Sequence, residues 1–155
     1  PEEIGRPDRY PATINRADID MTLDITPLDK AIARLEEALL AYSADTANTL
    51  IRDGYIQRFE FTYELAHKML KRFLEQTSPS PEEFDTLSFA DLIRSGNERG
   101  LLLGDWPRWR TWRSMRAKTS HTYDEDVALE VVAGIPGFLD EARHLRDQLR
   151  SRIAS

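Results

Sequence analysis

"DTANTLIRDGYIQRFEFTYELAHKMLKRFLEQ", residues 45–76, decides the fold. Ile51, Tyr55, Phe59, Thr62, Ala66, Met69 and Phe73 recur at intervals of three or four along it. That is the period of one face of an α-helix, and the run is far too long for a strand. Asp45 stands where a cap is needed, and the spacing predicts a helix over 46–77. Gly54 is a tolerated weak point, costing about 1 kcal/mol against alanine.

The same period continues on both sides. Upstream, "TPLDKAIARLEEALLAY" offers Thr26 as an N-cap, Pro27 at the first helical position and Asp29 at the third, close to a capping box. Leu28, Ile32, Leu35 and Leu39 give its apolar face, so a helix is expected over 27–43. Downstream, "TSPSPEEF" reads as a turn segment, and a short helix over 88–98 follows, capped by Ser88 and stopped by "SGNERG". Asp105 caps the next helix, 106–118, with Pro107 in its first turn. "TSHTYDED" then carries β-branched and capping residues, so one helix ends there and another, 124–152, begins. Pro136 in "AGIPG" is expected to bend that last helix. No segment has a strand period, an internal repeat or low complexity. The expected fold is all-α, a four-to-five-helix antiparallel bundle.

Composition bounds the function. The 155 residues suit one domain with a sizeable core. Residues 1–20 carry three prolines and no helical period. They read as a flexible arm, a mis-called start or a cloning remnant, leaving 21–155 as the domain. A formal net charge of -6 argues against a globally basic nucleic-acid binder, so any such contact has to use a local patch. There is no cysteine, which excludes disulfides, thiolate metal sites and thiol nucleophiles. No run is apolar enough for a membrane span and no secretory pattern is present, so the expected location is the cytoplasm.

From Trp106 to Tyr123 there is no acid, while Arg108, Arg110, Arg113, Arg116 and Lys118 all fall in that stretch, among three tryptophans. Trp109, Trp112, Arg113, Arg116 and Ser120 share roughly a third of a helix circumference. Guanidinium holds phosphate by two parallel hydrogen bonds, and tryptophan can stack a base. The bland alternative is that the tryptophans are core and the arginines cover them. Arg116 and His121 lie five apart, about 140° on an unbroken helix, so they converge only if the helix ends between them. "TS" supplies that break. A cation beside an imidazole is the minimum set for metal-free RNA cleavage: the imidazole moves the proton, and the arginine stabilises charge on the phosphoryl oxygens. The spacing alone also occurs by chance.

A second cluster lies on the 45–76 helix. Gln57, Glu60, Phe61 and Glu64 share a face, and the like-charged Glu60 and Glu64 need a cation to compensate them. The arginines of 106–118 are candidates, within the subunit or across a dimer. Glu60 and Glu64 then either orient the Arg–His pair, help form an interface, or make a solvated face. "ELAH" and "EARH" also have the Glu-x-x-His spacing of di-metal bundles. The helix over 106–118 offers no carboxylate to complete such a site, so no metal or cofactor is expected.

The blocks "RAKTSHTYDE" (116–125) and "RDGYIQRFEFTYELAHKMLKRFLE" (52–75) together resemble the HEPN superfamily. More narrowly they resemble its branch of nucleotidyltransferase substrate-binding-protein-like and HepT-like toxins. The resemblance extends from about Thr22 to Leu149. It implies a helical bundle that forms a homodimer, with the Arg–His pairs of two subunits facing a shared cleft that cleaves RNA without metal. Arg116, His121 and Tyr123 match the family's motif. The resemblance implies Arg116 and His121 as the catalytic pair and Tyr123 as a substrate-positioning residue. It also implies a minimal nucleotidyltransferase antitoxin that adds AMP to Tyr123. Gln57, Glu60, Glu64, Arg113 and Ser120 would support the pair or the interface. The alternative on the same fold is a non-catalytic nucleotidyltransferase-binding protein. Two positions depart from the pattern. Ala117 stands where a polar residue, often asparagine, is usual, which removes a hydrogen bond near the pair. His67 stands where tryptophan is frequent.

Overall fold

The computed structural model describes residues 23–154, all helix and short connections with no strand among them. The arm proposed for residues 1–20 lies outside the described residues. Helix α1 spans Thr26–Ala44, α2 Thr49–Gln76, α3 Phe89–Glu98, α4 Trp106–Lys118 and α5 Glu125–Ala154. Single 3-10 segments lie at Pro81–Asp85 and Thr119–His121.

The caps explain where the helix boundaries differ from expectation. Thr26 is the first residue of α1 rather than its cap; Ile25 holds the cap position, and the Asp24 carboxylate accepts from the Thr26 N–H at 2.9 Å. Asp45 does not cap α2. Asn48 does, its Oδ1 accepting from Leu50 N and Ile51 N at 3.0 and 3.1 Å, so the helix starts three residues later than the pattern predicts. Either residue type caps well, and the one nearer the helix can reach its second and third amides. Asp105 occupies the cap position of α4 without a side-chain cap bond. Ser88 caps α3 through Asp91 N, as expected. α5 runs through Pro136 as one element and extends to Ala154.

Side-chain partners fix the helix directions. Going up α1, Asp29 meets Arg146 and Arg150, and Glu36 meets Arg143, so α1 and α5 are antiparallel. Thr62 reaches the carbonyl of Ala31, and Arg58 reaches Glu37 and the carbonyl of Arg34, so α1 and α2 are antiparallel. Lys118 pairs with Glu130 while Trp112 packs on Phe138, so α4 and α5 are antiparallel. Thus α1, α2, α4 and α5 form an up-and-down bundle, with α3 packed beside α2 and α4.

α2 buries a wider stripe than the seven-residue pattern marks. Tyr55, Phe59, Thr62, Ala66 and Phe73 are buried as expected, but so are Ile56, Tyr63, Leu70 and Leu74, while Ile51 and Met69 are only half-buried. The cause is that α2 packs against α1, α3 and α5, so more than one face is covered. Phe59, Tyr63, Phe138, Trp109 and Trp112 form a contiguous aromatic cluster with ring centroids 5.3–6.1 Å apart. Two of the three tryptophans are therefore core, and Trp106 is half-buried against Phe89. Full burial of such a ring contributes roughly 2–3 kcal/mol, so this cluster anchors α4 to α2 and α5.

Two glycines matter for the placement of α4. Gly100, at a φ of 74°, ends α3 in the left-handed conformation, and Leu101 N returns to the Gly96 carbonyl. A Cβ at Gly134 of α5 would overlap the sulfur of Met115, so the missing side chain lets α4 lie directly on α5. Between α3 and α4, the buried Glu141 of α5 accepts from Leu103 N at 2.8 Å and from Gly104 N at 2.6 Å. No helix among the described residues is long and apolar enough to cross a membrane.

Candidate active site

α4 stops at Lys118 because the chain tightens there. The Thr119 N–H bonds the Arg116 carbonyl, Thr119–His121 make one 3-10 turn, and Asp124 N closes on the His121 carbonyl at 3.1 Å. Asp124 Oδ1 then accepts from Asp126 N at 3.0 Å at the start of α5. The break expected at "TS" is therefore real, and it displaces His121 from the helical course of Arg116.

Arg116 reaches across to α2. Its Nε lies 3.2 Å from Glu64 Oε2 and its Nη1 3.2 Å from Glu60 Oε2. Nη1 also donates to Thr119 Oγ1 at 3.3 Å. The compensating cation for Glu60 and Glu64 is thus Arg116, from within the same chain. Its side chain is 36% exposed, and none of these bonds uses Nη2. Thr119 is buried, and its hydroxyl lies 2.6 Å from Glu60 Oε2 and 2.8 Å from the Arg116 carbonyl. A hydroxyl has one proton, and the shorter contact to a charged acceptor is the stronger. Thr119 therefore donates to Glu60 and accepts from Arg116.

Glu64 has a further partner. Its Oε1 lies 3.3 Å from Nε2 of His67, whose ring is packed between Tyr63 and Phe89. Burial pushes the His67 pKa below its ordinary value, partly offset by Glu64. The neutral ring with its proton on Nε2 then donates to Glu64. Burial likewise pushes the Tyr63 hydroxyl up to about 12.

Other sequence candidates lie outside this cluster. Ser120 and His121 are exposed on the 3-10 turn, and Tyr123 is 87% exposed, its ring centroid 6.2 Å from that of His121. No hydrogen bond joins Arg116 to His121 among the described residues; the turn joins them. Arg113 is exposed, with its guanidinium 4.9 Å from the Phe89 ring centroid. Gln57 is exposed about two turns before Glu64 on α2 and lines a groove between α1 and α2 with Lys30, Arg34, Arg58 and Phe61. Ala117 is exposed on α4.

Both carboxylates of the Glu-x-x-His pairs have other work. Glu64 binds Arg116 and His67, Glu141 holds two backbone amides, and His144 approaches the Gly100 carbonyl at 3.4 Å. Among the described residues no group of three or more histidines and carboxylates is disposed to hold a metal ion. Thr119 is the residue that sequence reasoning passed over. Its signal was a hydroxyl three residues after the motif arginine, at a helix end, facing the same carboxylates.

Residues 23–151 match the family model described as nucleotidyltransferase substrate binding protein like. The chain belongs to that family. It is 38% identical over 138 residues to a protein of Haemophilus influenzae named probable ribonuclease HepT, covering 84% of this chain and 94% of the relative. The fold matches that of HI0074 from Haemophilus influenzae with a TM-score of 0.76 and 37% identity, over 82% of this chain and 99% of that one. HI0074 is described as having the fold of a substrate-binding domain of a nucleotidyltransferase. The all-α bundle expected from the sequence, and its HEPN-like resemblance, are those of this family.

Proposed function

We propose that this family member is a cytoplasmic, metal-independent endoribonuclease, the toxin of a toxin–antitoxin pair. The observation that carries the reading is the Arg116–His121–Tyr123 turn. Its arginine is held by two carboxylates of α2, while its histidine and tyrosine stand in solvent. The likeness to a probable ribonuclease supports it. In this reading an RNA phosphate docks on Arg116 through the guanidinium edge left by Glu60 and Glu64. The imidazole of His121 takes the proton of the 2'-hydroxyl, whose oxygen attacks phosphorus. The bond to the 5'-oxygen breaks, and an imidazolium returns a proton to that leaving oxygen, leaving a 2',3'-cyclic phosphate. Tyr123 positions the substrate.

The active form is a homodimer in which two such turns face one cleft. In support, α2 exposes Leu50 and Phe61 beside Gln57 on its solvent side, apolar surface available to a second copy. A minimal nucleotidyltransferase is the antitoxin and adds AMP to Tyr123, whose hydroxyl is open to a partner enzyme. The supporting group is Glu60 and Glu64 on the arginine, with Arg113, Ser120 and Gln57 at the rim or interface.

A second reading is a non-catalytic nucleotidyltransferase-binding protein. The family description, the likeness to HI0074 and the apolar Ala117 beside the arginine favour it. The two separate by cleavage of defined RNAs with purified wild type and His121→Ala, alongside intact mass to detect AMP. Cleavage by wild type alone supports the nuclease; absence of cleavage by unmodified wild type sinks it.

A further inference from the structure

We infer that Thr119 is a positioning residue for the Arg116–His121 pair, tying the aim of the guanidinium to the place of the turn that carries the histidine. This rests on the ribonuclease reading above for its consequence in activity, but its geometry stands independently.

Three observations converge on this one side chain. Thr119 is the buried member of an otherwise exposed or half-buried turn, whereas Ser120, His121 and Tyr123 face solvent. Its Oγ1 donates to Glu60 Oε2 at 2.6 Å and accepts from Arg116 Nη1 at 3.3 Å, so one hydroxyl bridges the anion and cation of the cluster. Its carbonyl accepts from the Thr122 hydroxyl at 3.3 Å, carrying the same anchor through to the residue after His121. Thr119 is thus fastened to α2 by its side chain and to the turn by its backbone.

The consequence is geometric. Glu60 and Glu64 alone can hold the guanidinium, but they do not hold the turn. Among the described residues, no side chain of Ser120 or His121 bonds α2. Without the Thr119 hydroxyl, the turn keeps its backbone bonds yet loses its charge-assisted tie to Glu60. Arg116 would remain paired while His121 drifted relative to it. A misplacement on the order of 1 Å costs about a hundredfold in a reaction that needs both groups at one phosphate.

Thr119→Val keeps the shape and removes the hydroxyl, and Thr119→Ser restores it. With RNA as substrate, Thr119→Val should lower kcat by about tenfold to a hundredfold while KM moves less than about threefold, and Thr119→Ser should recover most of the loss. Hydrogen–deuterium exchange supplies a readout independent of activity. Amides of residues 119–124 should exchange faster in Thr119→Val and at the wild-type rate in Thr119→Ser, with α2 and α5 unchanged. Unaltered kcat or unaltered exchange in Thr119→Val overturns the inference, as does a serine variant that behaves like valine. General unfolding would appear as faster exchange throughout α2 and α5, and would make Thr119 a fold residue rather than a positioning one. If wild type cleaves no RNA, the ribonuclease reading fails, while the exchange comparison still decides whether Thr119 holds the turn.

Discussion

Two sets of carboxylates in this bundle do opposite things. Glu141 is 1% exposed and spends both oxygens on backbone amides of the segment that leads into α4. Glu60 and Glu64 are about a third exposed and spend theirs on side chains: Arg116, Thr119 and His67. Backbone amides cannot move without the fold, so Glu141 is committed to architecture. Side-chain partners can be exchanged, so under the proposed function the α2 pair releases part of a guanidinium to an incoming phosphate. Burial raises the pKa of Glu141 even against its two hydrogen bonds. The difference teaches that in this chain the depth of a carboxylate, rather than its spacing from a histidine, separates one locked to backbone amides from one paired with side chains.

The comparison can be broken most sharply at the exposed turn. If His121 is the general acid–base of the proposed function, His121→Ala should lower RNA cleavage by roughly 10²–10⁴-fold with no change in melting temperature, because an exposed side chain of that role contributes to rate and not to packing. A large loss of stability would mean that the turn is architectural after all. Next in size, Glu141→Ala strands two amides and should cost on the order of 2–4 kcal/mol in denaturant unfolding. Activity per folded molecule should hold; a neutral result would erase the contrast between the two carboxylate sets.

The double change Glu60→Gln, Glu64→Gln should cost less than about 1 kcal/mol, since part-exposed pairs contribute little. It should instead tighten RNA binding and lower kcat, as the site loses two negative charges beside Arg116 and the guanidinium loses its aim. Titration of RNA binding and single-turnover rates test both signs. If neither moves, the α2 pair is only a solvated face.

The smallest effect concerns pH. Burial keeps folded His67 below the ordinary value of 6.5, so the unfolded chain takes up this proton first as pH falls. Its contribution is whole above that value and is lost as pH drops through the folded-state pKa. His67→Gln should therefore flatten the acid limb of the stability curve below about pH 6.5, by under about 1 kcal/mol, in urea melts taken across that range. An unchanged limb would show that burial does not hold His67 below its ordinary value in the folded protein.

Much of the architecture was legible because it is periodic. The 45–76 stripe and the flanking patterns give all five helices within a few residues, and the α4 range and Ser88 cap hold as read. Caps were less legible at α1 and α2, where two acceptors compete locally and only geometry decides: Asn48 over Asp45, Asp24 before Thr26. The encounter of Arg116 with Glu60 and Glu64 could be anticipated from charge need, whereas the only signal for Thr119 was a hydroxyl at the helix end three residues after the arginine, which names no partner by itself. Glu141 was the opposite case. It falls on the buried face with Phe138, Ala142 and Leu145, a position where a carboxylate needs a partner, yet its partners are amides 37 and 38 residues away with no side-chain signal.

Gly134 ties these observations to the tolerance of the molecule. With no Cβ there, Met115 settles onto α5, and Met115 immediately precedes Arg116. Gly134 therefore works as a seat for one side chain of the neighbouring helix. Adding even an alanine would push the sulfur and terminal methyl of Met115 out of that seat, so the side chain next to the arginine would have to repack. A residue with no functional group of its own thus decides where the side chain beside the guanidinium comes to rest.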